Sequence, residues 1–307
     1  MIDQPITGKH PGRNASVDAM SADPMSPVPA IALVIKTKNH GSRLEPFFAA
    51  IRALEPICSW ELILVDNGST DDTAARLNAF AGDFDGVVKV ITEWRPGTGL
   101  ACNTGWRAAS APLIALTDDD CYPAPDYLRQ ILAVFEDPSL GFAGGRVLLF
   151  DPTDAPVTIN ESQTEQFLKP GTFVHAGFLQ GANMVLRREV LEKTNGFDDD
   201  FRAGEDIDLA LRALASGWKG KHDPRLMVYH HHRRKPGPDI EMLERSYDVG
   251  RGRYHMKCLL FMPQRWQCAW HWMRCIRRQP IARTLREFRS AIQYFFHQFK
   301  HKPNRSY

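Results

Sequence analysis

Short apolar runs alternate with helix-length amphipathic segments from residue 30 onward. Four of these runs, at residues 31–35, 62–65, 87–91 and 113–116, have the composition of buried strands. Strands that are buried on both faces and separated by helices form parallel sheets with right-handed crossovers. The pattern therefore predicts an α/β fold with a mostly parallel sheet flanked by helices, in which the loops after the strands form the ligand-binding edge.

The regular alternation ends after the fourth run. Residues 147–150 predict another strand, and the polar, proline-containing stretch that follows is typical of a functional loop. A helix at 206–216 and a last strand at 226–229 complete a predicted domain of residues 30–235. We expect residues 1–29 to be a flexible tail and residues 236–307 to be a basic, aromatic, helical extension.

The net charge of +2 conceals two oppositely charged regions. Residues 1–232 carry 21 basic and 31 acidic groups, a net charge of −10, whereas residues 233–307 carry 17 basic and 5 acidic groups, a net charge of +12. An acidic body calls for a metal ion or a cationic partner, and a basic segment suits phosphates or anionic lipid.

The sequence contains no targeting signal that we can identify. No run approaches the roughly 20 apolar residues of a membrane-spanning helix, and the N-terminal segment lacks the apolar core of a secretion signal. The six cysteines form no C-x-x-C pair, so we expect reduced thiols. These features predict a cytoplasmic protein.

Three consecutive aspartates, residues 118–120, follow the fourth apolar run. Side chains alternate along an extended chain, which predicts that Asp118 and Asp120 point the same way and share a divalent cation, while Asp119 points elsewhere. Carboxylate and phosphate oxygens are the usual ligands of Mg²⁺ or Mn²⁺. A solvated acidic turn is the alternative.

Three further polar groups occur at the ends of predicted elements. Asp66 ends the second strand, where turn and capping chemistry alone would also explain it. Glu205 and Asp206 open a helix, a position that suits either a capping carboxylate or a general base. His230 and His232 follow the last strand on one side of the chain and suit either a metal site or a surface basic cluster.

Taken in order, these segments resemble family 2 glycosyltransferases of the GT-A fold. The resemblance covers about residues 30–235. The matching segments are VIKTKN at 34–39, LVDNGSTD at 64–71, GLACNTG at 99–105, LTDDD at 116–120, GFD at 196–198 and GEDIDLALR at 204–212.

The resemblance implies a role for each matching position. Asp206 would be the catalytic base, with Glu205 as the competing choice, and Asp118, Asp120 and His230 would hold Mn²⁺ or Mg²⁺. Further residues would bind the nucleotide sugar: Thr37, Asn39, Asp66, Asn103, Asp118 and Asp119. Arg251 is a candidate for contact with the diphosphate, because its guanidinium matches phosphate geometry.

The implied reaction is transfer of a sugar from a nucleotide-diphosphate donor to a hydroxyl group. A cation would stabilise the departing diphosphate, and displacement by a single base-activated hydroxyl would invert the anomeric centre. UDP is the expected carrier, a glycan or lipid-linked glycan is the expected acceptor, and bacterial surface-glycan or exopolysaccharide assembly is the expected process.

The sequence departs from the family pattern in two places. Family members often place arginine just before the asparagine of the third motif, and this chain has Cys102 there. The Q-x-x-R-W motif of processive members is also missing, because Gln264 is followed at once by Arg265 and Trp266. We therefore expect transfer of one or a few sugars.

Other functions remain open from the sequence. A Mg²⁺-dependent phosphohydrolase would use a D-x-D nucleophile, but Tyr122 stands where such enzymes usually have threonine. Nucleotidyltransferases of similar fold carry a glycine-rich signature after the first strand, which is missing here. A nucleic-acid-binding protein would use the basic aromatic tail, although we expect no nucleic acid as a partner.

The C-terminal extension admits two interpretations. Its aromatic residues interleaved with arginine suit helices lying on an anionic membrane surface, which predicts peripheral attachment to the inner face of the cell membrane. Alternatively, these helices pack on the catalytic domain and use the aromatic residues as core.

Overall fold

The computed structural model describes residues 28–301, so all but the last two residues of the predicted N-terminal tail lie outside the described part. Within that part, one mixed sheet is flanked by helices. The strands are β1 (Ile31–Thr37), β2 (Trp60–Asp66), β3 (Val87–Thr92), β4 (Leu113–Asp118), β5 (Cys121–Pro123), β6 (Leu140–Leu149), β7 (Gln166–Leu168), β8 (Met184–Arg187) and β9 (Lys219–His230).

The helices alternate with the strands in the first half of the fold and cluster at its end. They are α1 (Glu45–Arg52), α2 (Thr73–Asp83), α3 (Thr98–Ala108), α4 (Tyr127–Val134), α5 (Arg188–Thr194), α6 (Glu205–Ala215), α7 (Pro238–Phe261), α8 (Arg265–Ile276) and α9 (Ile281–His301). Short 3₁₀ turns lie at Gly41–Arg43 and Gly181–Asn183.

The sheet has the order β3-β2-β1-β4-β8-β6-β9-β5, and β7 also pairs with β9. Strands β1 to β4 are mutually parallel, and β8 runs antiparallel to both β4 and β6. The mostly parallel, helix-flanked α/β architecture predicted from the sequence is confirmed. The register places Thr37 opposite Asp66 and Lys36 opposite Asp118, so the ends of β1, β2 and β4 meet at one edge.

Two layers of buried apolar side chains cover the two faces of the sheet. Helix α3 reaches one face closely because Gly105 has no side chain; a Cβ there would lie 2.3 Å from Val34. Tyr254, Cys258 and Tyr294 of α7 and α9 belong to this same layer. The C-terminal extension is therefore helical and packs on the sheet domain.

Several elements differ in length from the sequence prediction. Strand β6 begins at Leu140 rather than 147, and β9 begins at Lys219 rather than 226. The early part of β9 includes charged residues that the apolar pattern could not indicate; Asp223 is buried there because Lys221 and Arg225 pair with it. Most of the stretch from 150 to 180 is irregular, as predicted, apart from the short strand β7.

None of the helices between residues 28 and 301 has the length and hydropathy needed to cross a bilayer. All six cysteines lie in this part of the chain and all are free thiols.

Candidate active site

The ends of β1, β2 and β4 bring polar side chains together at one edge of the sheet. Asp66 is buried at the end of β2, and its Oδ1 accepts a hydrogen bond of 3.0 Å from the backbone N–H of Ser69. Asn39, with a φ of 55°, ties the neighbouring loops together because its Oδ1 accepts a hydrogen bond of 2.7 Å from the N–H of Thr70. Both residues thus shape the loops beside the predicted nucleotide site.

The three consecutive aspartates take three different partners. Asp118 pairs with Lys36, Asp119 accepts from the hydroxyl of Thr37, and Asp120 Oδ1 lies 3.5 Å from His230 Nε2. The prediction that Asp118 and Asp120 point the same way does not match this arrangement. Strand β4 ends at Asp118, and Asp119 and Asp120 form a turn, so the alternation of an extended chain no longer applies.

Lys36 sits between the aspartate triplet and the start of α6. Burial acts to lower the pKa of its ammonium group, but the charge of Asp118, with a further contribution from Glu205, outweighs burial and raises the pKa. Cys102 also lies in this environment, where burial raises the pKa of its thiol to about 12 and keeps it neutral. Lys36 of β1 is therefore the cation that faces the carboxylates of Asp118 and Glu205.

Asp119 connects the loop after β4 to the loop after β1. Its buried carboxylate receives a hydrogen bond from Thr37 and lies 2.9 Å from His40 Nδ1. The hydrogen bond to Asp119 raises the pKa of His40, while burial raises the pKa of Asp119. This pair fixes the loop after β1 against the loop after β4.

A possible metal centre is formed where β5 pairs with the end of β9. Register places Cys121 opposite His230, and ligand atoms of Asp120, Cys121 and His230 lie within 4.8 Å of one another. Burial acts to raise the pKa of Asp120, but His230 outweighs it and the net shift is downward, so Asp120 is ionised. Burial raises the pKa of the Cys121 thiol far above its usual range. Because Mn²⁺ and Mg²⁺ prefer oxygen and nitrogen ligands to soft sulfur, the carboxylate and the imidazole are the ligands that suit these ions.

The hydrogen bonds around His230 leave the correct nitrogen available for a metal. The Thr158 hydroxyl donates to the carbonyl of Val157 at 2.6 Å, and its oxygen lies 3.3 Å from His230 Nδ1. Since the hydroxyl proton is already used, Thr158 accepts the Nδ1–H of His230. With a metal ion bound beside Asp120, the neutral imidazole would therefore ligate through Nε2, the nitrogen that faces Asp120, as a metal-ligating histidine requires. An oxygen and nitrogen donor pair of this kind fits Mn²⁺ or Mg²⁺ together with diphosphate oxygens.

The other two histidines of the cluster have different surroundings. His232 donates from Nε2 to the carbonyl of Ala155 at 2.8 Å and accepts at Nδ1 from the N–H of Arg234, so both of its nitrogens are used. His231 groups with Asp151 and Asp154, where Lys235 already pairs with both carboxylates. The alternative role of His232 as a metal ligand is therefore not supported.

Glu205 and Asp206 open α6 after Gly204, which has a φ of 80°. Asp206 accepts hydrogen bonds of 2.8 Å from the backbone N–H groups of Gly181 and Ile207, and these fix its orientation. Burial raises the pKa of Asp206. Burial and the charge of Asp206 raise the pKa of Glu205 to about 7, and Glu205 Oε2 has no hydrogen-bond partner.

Two residues predicted to contact the nucleotide sugar have partners within the protein instead. Asn103 uses its amide to join α3 to the loop before α6: it bonds both the N–H and the carbonyl of Phe197, and it accepts from Trp106 Nε1. Arg251 pairs with Asp248 and Glu287 within the C-terminal helices. Hydrogen bonds therefore engage the amide of Asn103, and ion pairs engage the guanidinium of Arg251.

Sequence reasoning missed several residues of this region. His40 and Lys36 hold the aspartate triplet, and only the strand register, which brings β1 beside β4, would have indicated them. A small cavity joins acidic and basic side chains of the loops after β1, β4 and β9; it is lined by His40, Arg43, Asp119, Asp120, His231, His232, Arg233 and Arg234. Arg43, Arg233 and Arg234 give this acidic edge a cationic rim suited to phosphate.

Helix α7 closes the other side of the cleft. Tyr247 lies near Asp206 and Asp118, and burial together with these charges raises the pKa of its phenol to about 12. The site thus has a carboxylate–histidine pair and cationic rim on one side, and two carboxylates at a helix N-terminus on the other. Lys36 lies between the two parts.

The sequence matches the family model for glycosyl transferase family 2 over residues 32–194, which is more than half of the chain. A pre-mycofactocin glycosyltransferase of Mycobacterium tuberculosis is 27% identical over 211 residues, covering 66% of this chain and 43% of that protein. The succinoglycan biosynthesis protein ExoU of Rhizobium meliloti is 28% identical over 205 residues, covering 62% and 58%. The chain thus spans about half the length of these relatives.

A solved structure has a similar fold. The mannosyltransferase PcManGT from Pyrobaculum calidifontis, determined in complex with GDP-Man and Mn²⁺, superposes with a TM-score of 0.60 at 18% identity and covers 91% of this chain and 83% of that protein. This likeness identifies the GT-A architecture of the sheet and its flanking helices.

Proposed function

Because the chain belongs to glycosyltransferase family 2, we propose that it transfers a sugar from a nucleotide-diphosphate donor to a hydroxyl acceptor, with metal dependence and inversion at the anomeric carbon. The observation that carries this proposal is the division of one cleft into two chemical halves. Asp120 and His230 lie 3.5 Å apart on one side, and Asp206 is fixed by two backbone N–H groups on the other.

The donor half suits a nucleotide diphosphate bound through a divalent ion. Asp120 and the Nε2 lone pair of His230 would hold Mn²⁺ or Mg²⁺, which when bound supplies positive charge to the diphosphate. Arg43 and Arg233 at the rim add charge-assisted donors for phosphate oxygens. Asp66 is buried at the end of β2, where the family resemblance puts contacts with the nucleoside.

The acceptor half suits general-base chemistry. A carboxylate at a helix N-terminus is held rigidly, and the two N–H groups that bond Asp206 leave it oriented by the protein rather than by solvent. Asp206 would take the proton of the acceptor hydroxyl as the new bond to the anomeric carbon forms. Displacement of the diphosphate in that single step inverts the configuration.

Glu205 has a supporting role in this proposal. With a pKa of about 7 it exchanges its proton near neutrality, so it adjusts the charge next to Asp206. Lys36 limits the repulsion among Asp118, Glu205 and Asp206 when no substrate is present.

The carrier, the process and the acceptor are proposed from the family resemblance and the relatives. UDP is proposed as the carrier from the family resemblance, while the solved mannosyltransferase was determined with GDP-Man. A role in bacterial surface-glycan or exopolysaccharide assembly is supported by the relative named for succinoglycan biosynthesis. A glycan or lipid-linked glycan is the proposed acceptor.

The test is hydrolysis or transfer from a panel of UDP- and GDP-sugars in the presence of Mn²⁺. We expect turnover of at least one donor, loss of that turnover in Asp120→Ala, and a product of inverted configuration by NMR. Glu192→Gln, a change on the exposed surface of α5, is the control. Full turnover in Asp120→Ala would contradict the metal site, and a retained configuration would contradict the single displacement.

A further inference from the structure

Helix α9 presents a continuous apolar face to the outside of the protein. Its exposed apolar side chains recur at intervals of three or four residues along about five helical turns, and their exposure ranges from 40% at Phe288 to 79% at Ile281. We call these residues the α9 face; they are Ile281, Leu285, Phe288, Ile292, Phe296 and Phe299. An exposed apolar stripe of this length marks an interaction surface.

The inward side of the same helix is largely polar. Glu287, Ser290 and Gln298 are each no more than 2% exposed. Glu287 accepts from Trp272 Nε1 at 2.9 Å and pairs with Arg251, and Ser290 donates to the carbonyl of Val249. A surface helix in water normally buries its apolar stripe and exposes its polar one. Hydrogen bonds therefore anchor α9 in an orientation that turns most of its large apolar side chains away from the protein.

Helix α8 carries a second row of exposed apolar side chains. Trp266, Trp270 and Met273 are 77%, 57% and 52% exposed and follow the same helical spacing. Tryptophan with an exposed ring is typical of the boundary between lipid headgroups and acyl chains, where an apolar ring and a polar N–H are both accommodated.

The charge around this surface has a single sign. Residues 262–301 contain eight lysine and arginine residues and one acid, Glu287, which is buried. Six of the basic side chains are exposed, namely Arg265, Arg274, Arg277, Arg278, Arg289 and Lys300. An apolar stripe bordered by cations, with no exposed acid, complements a surface that is apolar within and anionic at its boundary.

We propose that α8 and α9 dock on an anionic lipid bilayer, with the α9 face and the exposed tryptophans inserted at the headgroup boundary and the arginines at lipid phosphates. A second copy of the chain fits the surface less well, because a symmetric contact would bring two sets of six cations together. A nucleic acid would satisfy the cations but leave the aliphatic side chains Ile281, Leu285 and Ile292 without an apolar partner.

This docking sets the order of the elements between the acceptor side of the cleft and the membrane. Helix α7 lies between the α6 N-terminus and α9: a Cβ at Gly250 would lie 2.5 Å from the carbonyl oxygen of Ala203, and one at Gly252 would lie 2.2 Å from that of Glu287. Helix α7 therefore separates the N-terminus of α6, where Asp206 lies, from α9, and α9 in turn would contact the membrane. If the proposed transfer is correct, this arrangement favours a lipid-linked acceptor; the docking itself does not depend on that reaction.

Vesicle co-sedimentation tests the proposal without donor or acceptor. The full chain is mixed with vesicles of phosphatidylcholine and phosphatidylglycerol, or of phosphatidylcholine alone, and binding to the anionic vesicles is expected to be stronger by at least about tenfold. Leu285→Glu with Ile292→Glu is expected to weaken binding about 100-fold, because two apolar side chains lose their insertion.

Two comparisons make the result specific. Val87→Glu with Phe167→Glu removes two equally exposed apolar side chains outside the extension and is expected to bind like the original protein. Arg277→Gln with Arg278→Gln is expected to weaken binding to anionic vesicles about 10- to 30-fold and to leave the weak binding to neutral vesicles unchanged. Urea unfolding checks that each variant is folded, which is expected because all six side chains are exposed.

Three outcomes would overturn the proposal. The first is equal sedimentation of the original protein and the Leu285→Glu, Ile292→Glu variant. The second is a dimer in analytical ultracentrifugation that this variant dissolves while vesicles fail to bind. The third is tight binding of single-stranded DNA without binding of anionic vesicles. If the protein binds vesicles but transfers no sugar, only the proposed function is contradicted.

Discussion

The substitution Glu205→Gln is expected to stabilise the protein in a pH-dependent way. Burial and the charge of Asp206 raise the pKa of Glu205 from 4.5 to about 7 in the folded protein. Between these two values the folded protein holds a proton that the unfolded chain releases. The free energy of unfolding therefore falls as the pH rises through this window, and the full loss is present above pH 7.

The size of the effect follows from the same two values. A pKa that rises from 4.5 to about 7 corresponds to about 3 kcal/mol of unfavourable free energy for the ionised carboxylate. Glutamine is neutral at all pH values, so it removes this penalty. The variant is expected to exceed the original protein by up to about 3 kcal/mol in the free energy of unfolding above pH 7, and the gain should vanish below pH 4.5.

The assay is urea unfolding of both proteins on either side of this pH window. Glu205 Oε2 already lacks a hydrogen-bond partner, and any penalty for the buried amide is the same at both pH values, so the difference between them isolates the charge. Glu192→Gln on the exposed surface of α5 is expected to show no such pH dependence. An equal effect of Glu205→Gln at both pH values would refute the reasoning.

Three further changes test separate parts of the site. Asp206→Asn should lower kcat about 10²- to 10⁴-fold with little effect on the donor KM, measured by steady-state kinetics; an effect on KM alone would argue against a base. Thr158→Val should weaken Mn²⁺ binding about 10-fold or more in an EPR titration, while Thr158→Ser, which keeps the hydroxyl, should not; equal affinities would contradict the orientation of the metal-binding imidazole. Asn103→Ala should lower the free energy of unfolding by about 3 kcal/mol, because it leaves backbone groups of Phe197 and the N–H of Trp106 unpaired. The donor KM should stay unchanged in that variant. A large rise in KM would instead indicate that Asn103 contacts the donor.

The sequence predicted the mostly parallel sheet and the edge at which the candidate residues meet. It could do so because runs of apolar residues indicate strands that are buried in a sheet. It also identified Asp66, the 118–120 triplet, Glu205, Asp206 and His230 as candidates, and the structure brings them to the same edge. What it did not predict is the pairing among them. Asp118 faces Lys36 because β1 and β4 are neighbours in register, and no local pattern encodes that contact.

The differences at other positions have similar causes. The alternation rule failed at Asp119 because the chain turns as soon as β4 ends. Asn103 was assigned to the donor from the family resemblance and Arg251 from the geometry of its guanidinium, whereas a hydrogen bond with Phe197 and an ion pair with Glu287 engage them. In the C-terminal extension the packing interpretation is confirmed, since one set of its aromatic residues packs on the sheet domain; another set faces outward, and attachment to a membrane stays a prediction.

The most direct test of the account is the Mn²⁺ dependence of nucleotide-diphosphate binding. Isothermal titration with UDP and with GDP would be carried out with Mn²⁺, with EDTA, and on Asp120→Ala. We expect binding of one of the two nucleotides with Mn²⁺, and a loss of affinity of about 100-fold or more both with EDTA and in the variant. Equal affinity in all three cases would contradict a metal-held diphosphate at Asp120 and His230, and with it the proposed mechanism.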